Sequence, residues 1–204
     1  MAAKEKKKVI FMKFIGFYDY TVILTYVSLI SAFGGMCFAH QGSFTAAVLC
    51  LLFSGICDAF DGTVARSKKN RTEDEKAFGI QLDSLCDVVS FGIAPAFLLY
   101  CMGVRGPLGI AILCLYCICG VIRLGFFNVQ EAKRQQVEDG CGKFYRGLPI
   151  TTMSMLLPPV YLLRLILPGK VFRVLLYILP ALTGFLFILD FRVKKPDMKK
   201  LFCK

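Results

Sequence analysis

Four aspartates stand where an apolar chain should not tolerate them. Asp58 and Asp61 are spaced i, i+3, Asp83 and Asp87 are spaced i, i+4, and both pairs lie in stretches otherwise almost free of charge. On a helix each spacing puts the two side chains on one face. A charged group at mid-bilayer costs ~2.5–3.5 kcal/mol on insertion scales, so four of them require a shared polar cavity and a positive partner. Carboxylate oxygens are hard ligands that suit Mg²⁺ or Mn²⁺. Two such ions balance four carboxylates, and two ions ~3.5–4 Å apart form a clamp for phosphoryl transfer.

The residues around the acids fit an anionic ligand. Gly62 and Ala65 follow Asp61 on the same helix and leave a shallow surface where a ligand can approach the backbone. Arg66 comes next, placed to meet a phosphate at the mouth of the cavity. Gly79 stands four residues before Asp83 and allows close approach from the facing helix. Each small residue alone is compatible with ordinary helix packing; with the acids they outline a groove for an anionic headgroup.

The elements that carry these residues are membrane spans. The chain has 204 residues, of which 56% are apolar and only 19% charged, against about a quarter charged in soluble domains. Charge is also clustered, which disfavours a buried soluble bundle. Six stretches reach the ~20 residues needed to cross ~30 Å of hydrocarbon: Tyr20–Ala39, Phe44–Val64, Gly79–Cys101, Leu108–Asn128, Leu148–Leu167 and Phe172–Phe191. The sequence therefore predicts an all-α, polytopic membrane bundle of six transmembrane helices. A short amphipathic helix around Lys8–Phe17 is expected to lie in the interface before them. The corresponding organisation is an N-terminal segment 1–19, a six-helix catalytic domain 20–191, and a basic tail 192–204.

Lys and Arg set the orientation. Twenty of the 25 fall in the N-terminal segment, the loops after the second and fourth spans, and the tail. Only Arg105, Arg164, Lys170 and Arg173 lie on the other side, and Arg123 lies within a span. This bias puts both termini in the cytoplasm. It also accounts for the net charge of +11 without a nucleic-acid partner, adding attraction to anionic membrane lipids. The ten cysteines lack ligand spacing and read as small packing residues. Counted from the charged loop between the second and third spans, both aspartate pairs fall at similar depth, roughly 10–15 Å in.

At this point the strings become recognisable. Asp58-Ala-Phe-Asp61-Gly62-Thr-Val-Ala65-Arg66, followed by Gly79-Ile-Gln-Leu-Asp83-Ser-Leu-Cys-Asp87, resembles the signature of the CDP-alcohol phosphatidyltransferases, with all eight fixed positions present. Ser90-Phe-Gly-Ile-Ala-Pro-Ala96 and Gly147-Leu-Pro-Ile150 are similar to strings of the bacterial phosphatidylserine synthases within that family. Arg123-Leu-Gly-Phe-Phe-Asn128 is similar to their Arg-Leu-Ala-Arg-Phe-Asn element, with Phe126 in place of the second Arg.

The resemblance implies transfer of a phosphatidyl group from CDP-diacylglycerol to L-serine, with release of CMP, at the cytoplasmic face of a bacterial cytoplasmic membrane. By it, Asp58, Asp61, Asp83 and Asp87 hold two divalent cations, Mg²⁺ or Mn²⁺. Asp58, Gly62, Ala65, Arg66 and Gly79 bind the CDP moiety, and Asp87 is also the general base for the serine hydroxyl. Arg123 is expected to meet the serine carboxylate or a substrate phosphate, with Asn128 and Arg146 beside it. A homodimer is implied as well. Two other readings stay open: another alcohol acceptor such as glycerol 3-phosphate or inositol phosphate, and a divalent-cation transporter, since intramembrane acids also mark ion pathways.

Overall fold

A computed structural model describes residues 16–18, 20–68, 72–137, 144–190 and 192–194. A 3₁₀ turn, Tyr20–Val22, leads into α1 (Ile23–His40), and α2 (Phe44–Ser67) returns antiparallel. Next come α3 (Glu73–Asp87), a π-helical segment (Val88–Ile93) and α4 (Ala94–Met102), which run on without a break. The longest helix, α5 (Gly106–Val137), is followed by α6 (Thr152–Leu162), a 3₁₀ turn (Leu163–Leu165) and α7 (Gly169–Ile188). Apart from turns and connections, the described backbone is helical, with a three-residue antiparallel ladder in which β1 (Phe144–Arg146) pairs with β2 (Arg192–Lys194).

Large apolar side chains cover the outside of the bundle, unlike a soluble domain, and several hydroxyls are buried among the apolar residues of its core. Ile30, Leu115, Ile118, Val174 and Ile178 are exposed, whereas Ser28, Ser54 and Thr183 are buried. Without a hydrophobic drive between helices in lipid, small residues and hydroxyls carry the packing. The Ser28 and Ser54 hydroxyls lie 2.8 Å apart between α1 and α2, and Ser31 Oγ donates to Cys50 O at 2.8 Å. Five helical stretches among the described residues are long and apolar enough to span: Ile23–His40, Phe44–Val64, Glu73–Met102, Gly106–Gln130 and Gly169–Ile188. The chain is an integral membrane protein.

The sixth expected stretch, 148–167, departs from a full-length helix. It is non-helical through Pro149, turns at Ile150 and Thr151, becomes α6 at Thr152, and ends in a 3₁₀ turn after Pro158 and Pro159. The physical reason lies beside it: Pro149, Ile150 and Thr151 line a polar cavity, and non-helical backbone at membrane depth survives where it borders such a cavity. The interfacial helix expected around Lys8–Phe17 falls almost wholly outside the described residues.

Two local features hold the third helical stretch in place. Its start is a capping box: Glu75 N donates to Thr72 Oγ1 at 3.2 Å and Thr72 N donates to Glu75 Oε2 at 2.9 Å. Glu73, Asp74 and Glu75 in the first turn also complement the helix dipole. After Asp87 the chain widens into the π segment, whose carbonyls need partners from outside the helix. Tyr116 Oη of α5 donates to Phe91 O at 2.5 Å, and Cys117 Sγ approaches Gly92 O at 3.7 Å. The widened turn thereby locks α3 and α4 onto α5, directly below the last aspartate.

Candidate functional site

The aspartates converge. Carboxylate oxygens of Asp58 on α2 and of Asp83 and Asp87 on α3 all lie within 4.8 Å of one another. The side chains of Asp58 and Asp87 are in hydrogen-bonding reach, as are those of Asp61 and Asp83. Asp61 is buried and accepts a hydrogen bond from Thr25 Oγ1 of α1 at 3.2 Å. Three elements therefore fix the cluster, two carrying the acids and the third anchoring Asp61.

Bare carboxylates do not rest stably in this arrangement. Two like charges at this separation repel by about 3 kcal/mol at an effective dielectric constant near 20. Moreover, Asp83 Oδ1 is buried with no hydrogen-bond partner, and an orphaned acceptor of this kind carries a desolvation penalty. A divalent cation removes both problems, and an all-carboxylate donor set matches a hard ion such as Mg²⁺ or Mn²⁺. The residues present fit the metal implied by the sequence.

The cluster forms one wall of a cavity of about 480 Å³. Gly55, Asp58, Ala59, Asp61 and Gly62 line it from α2, Asp83 and Asp87 from α3, and Arg123, Leu124 and Phe127 from α5. Pro149, Ile150, Thr151, Ser154 and Met155 close the far side. Arg123 is buried; its Nε donates to Leu148 O at 2.9 Å, and its guanidinium carbon lies 5.9 Å from the centre of the Phe127 ring. Gly147 makes room for this arrangement. Its φ is +72°, and a Cβ there would meet Leu189 O at 3.2 Å and Arg123 Nε at 3.6 Å. A side chain would be strained by the backbone and crowded by its neighbours.

The other sequence-predicted positions are distributed as follows. Gly62 lines the cavity. Gly79 lies one turn before Asp83 on α3, half-buried and not among the lining residues. Asn128 Oδ1 accepts from Ser84 Oγ at 2.9 Å, tying α5 to α3 beside Asp83. Ala65 and Arg66 belong to the last turns of α2, and Arg146 to β1, but their side chains lie outside the described residues.

Sequence reasoning missed Gly55, Thr25, Thr151 and Ser154. Gly55 had a signal, since it precedes Asp58 by three residues and extends the stripe of Asp58 and Asp61 by one turn. Thr25 had none, because only the packing of α1 brings its hydroxyl to Asp61. Gly55 is also a point of close approach between α2 and α6: a Cβ there would lie 2.7 Å from Ser154 Cβ and overlap its hydroxyl. Gly55→Ala is therefore expected to cost about 1–3 kcal/mol, and Ser154→Gly in the same chain to return most of it. Thermal unfolding of the two single variants and the double variant in detergent checks this; equal losses in Gly55→Ala with and without Ser154→Gly would refute the close-approach argument.

Residues 20–188 match the family model described as CDP-alcohol phosphatidyltransferase. The chain is 35% identical over 141 residues to an archaetidylserine synthase of Methanothermobacter thermautotrophicus, covering 69% of this chain and 56% of that protein. It is 39% identical over 113 residues to a CDP-diacylglycerol–serine O-phosphatidyltransferase of Saccharomyces cerevisiae, covering 54% and 40%. A Bacillus subtilis protein of the same name is 41% identical over 90 residues, covering 43% and 49%. The chain spans about half the length of the curated relatives it matches. No solved structure matches it.

Proposed function

The chain belongs to the CDP-alcohol phosphatidyltransferase family, and from that premise we propose that it is a phosphatidylserine synthase, moving the phosphatidyl group of CDP-diacylglycerol onto the hydroxyl of L-serine. The observation that carries the reading is the convergence of three carboxylates within 4.8 Å on a cavity that also holds a buried arginine. The names of the relatives supply the acceptor. The family signature supplies the donor.

In this reading Asp58, Asp61, Asp83 and Asp87 hold two divalent cations, Mg²⁺ or Mn²⁺. When bound, those ions neutralise the diphosphate and stabilise the departing CMP. The serine oxygen forms a bond to the phosphatidyl phosphorus, the bond from that phosphorus to the CMP phosphate oxygen breaks, and the serine hydroxyl proton passes to Asp87. Because phosphoryl transfer is loose and largely a matter of positioning, a weak base that accepts the proton late is sufficient. Asp58, Gly62, Ala65, Arg66 and Gly79 receive the CDP moiety, with Gly62 leaving open backbone for it. Arg123 pairs with an anionic group of a substrate, beside Asn128 and Arg146. Arg123 is the one cation lining the cavity among the described residues.

The membrane arrangement belongs to the same proposal. Segment 148–167 crosses as the sixth span, its non-helical start lining the cavity and α6 completing the passage, with an interfacial helix ahead of the first span. Domain 20–191 is the catalytic unit and works as a homodimer, flanked by segments 1–19 and 192–204. The cavity and both termini face the cytoplasm of a bacterial cell, as the distribution of Lys and Arg supports.

The test is CMP release by purified protein in detergent with CDP-diacylglycerol. Serine, glycerol 3-phosphate, inositol phosphate or no acceptor is supplied, each with and without EDTA. Release is expected with serine alone, to vanish on chelation, and to return with added Mg²⁺ or Mn²⁺. Release with a different alcohol would overturn the acceptor, and release in excess EDTA would overturn the cation requirement.

A further inference from the structure

The end of the bundle remote from the aspartates carries a second feature. Arg123, at cavity level, lies fifteen residues along α5 from Leu108, about 22 Å at the helical rise. The C-terminal end of α7 meets Gly147 near Arg123, so its first turn lies at the far end too. There a groove of about 610 Å³ runs between α5 and α7. Its walls are Leu108 and Ile112 of α5 and a single face of α7, where Lys170, Arg173, Val174, Tyr177, Ile178 and Ala181 follow at spacings of three, one, three, one and three. The cations come first and the apolar residues lie deeper.

We propose that this groove binds one anionic phospholipid from the leaflet opposite the acidic cavity, with its phosphate at Lys170 and Arg173 and an acyl chain along Val174, Ile178 and Ala181. Three observations meet here. First, charge: this side of the chain has only four basic residues in sequence order, Arg105, Arg164, Lys170 and Arg173, and two of them border one groove. Arg105, next to it, is already engaged, its Nε donating to Tyr100 O at 3.4 Å and its guanidinium lying 5.5 Å from the Tyr100 ring centre. Lys170 and Arg173 have no carboxylate partner among the described residues and are exposed.

Second, length: Lys170 to Ala181 spans about 16 Å of helix, close to the ~15 Å of hydrocarbon in one leaflet. A headgroup at the first turn therefore places its chain along the whole apolar part. Third, rigidity: Tyr177 Oη donates to Arg105 O at 2.8 Å and accepts from Arg105 N at 3.1 Å. That clasp bolts α7 to the turn before α5, so the groove keeps its width and needs little ordering when a lipid enters. Snorkelling alone explains a basic residue at a helix end; it does not explain two on the rim of an apolar channel of leaflet depth.

The test uses the full chain in zwitterionic detergent, titrated separately with phosphatidylglycerol, phosphatidylcholine and inorganic phosphate. Bound lipid is counted by native mass spectrometry. Phosphatidylglycerol is expected to bind one per chain at this site, phosphatidylcholine far more weakly, and inorganic phosphate not to compete. At about fivefold per cation near a membrane surface, Lys170→Gln with Arg173→Gln is expected to weaken phosphatidylglycerol about 30-fold. The double variant should leave phosphatidylcholine binding and serine-dependent CMP release unchanged. Ala181→Phe, an exposed position on the same face, keeps both charges and blocks the chain, and is expected to give the same loss. Equal binding of the two lipids would overturn the proposal. So would unchanged phosphatidylglycerol binding in both variants, since the lipid would then sit in the acidic cavity, or a change in oligomeric mass in place of lipid count, since a second copy would then cover the groove.

Discussion

Asp87→Asn is expected to slow serine-dependent CMP release by at least about 10³-fold. The substitution keeps the size of the side chain and removes its charge. Loss of a positioned proton acceptor alone accounts for 10²–10⁴-fold, and weakened cation binding adds to it, because Asp87 is one of the three carboxylates within 4.8 Å. The two contributions separate in a titration with Mn²⁺. If Asp87 only holds a cation, excess metal restores the rate; if it also takes the serine proton, the rate stays low at saturation. Stability should move the other way. Without metal, removing one of several mutually repelling charges relieves the cluster, so the metal-free variant is expected to unfold at or above the parental temperature. Asp74→Asn, on the exposed first turn of α3, serves as the control and should keep the parental rate. A rate within tenfold of the parent in Asp87→Asn would remove the proton-acceptor role.

The cluster was legible because two physical constraints point the same way. Helical spacing puts Asp58 with Asp61 and Asp83 with Asp87, and the cost of burying charge in lipid forces the pairs together. Neither constraint needs knowledge of the tertiary fold. What surrounds the cluster was less legible for the opposite reason. Thr25 reaches Asp61 through the packing of α1, and Ser154 reaches the cavity because Gly55 lets α6 approach; both depend on contacts far apart in the chain. The break in stretch 148–167 was hidden by composition. Its hydropathy is that of a span, and Pro158 and Pro159 lie late in it, whereas the non-helical start at 148–151 follows from bordering a polar cavity, which hydropathy does not register. The π segment after Asp87 was likewise invisible, since its carbonyls are satisfied by Tyr116 and Cys117 from another helix.

Arg123→Ala is expected to lower kcat/KM about 10²-fold, in line with the 2–5 kcal/mol lost when one partner of a buried charge pair is truncated. Arg123 is only 6% exposed, and a guanidinium remains protonated where an ammonium would readily lose its proton. It is therefore a dependable fixed charge inside a low-dielectric cavity. Its Nε is occupied by Leu148 O at 2.9 Å, a bond that aims the remaining donors of the fork. Arg123→Lys keeps a charge but loses that bond and the planar geometry, so a smaller loss of about tenfold is expected. A purely structural arginine makes a different prediction: Arg123→Ala would lower the unfolding temperature, through the orphaned Leu148 carbonyl, and leave both KM values alone. The split between substrates then identifies the partner. A raised KM for serine assigns Arg123 to the acceptor carboxylate, and a raised KM for CDP-diacylglycerol assigns it to a phosphate. If neither KM moves in folded protein, Arg123 holds the 147–151 segment in place and the anion-pairing role falls.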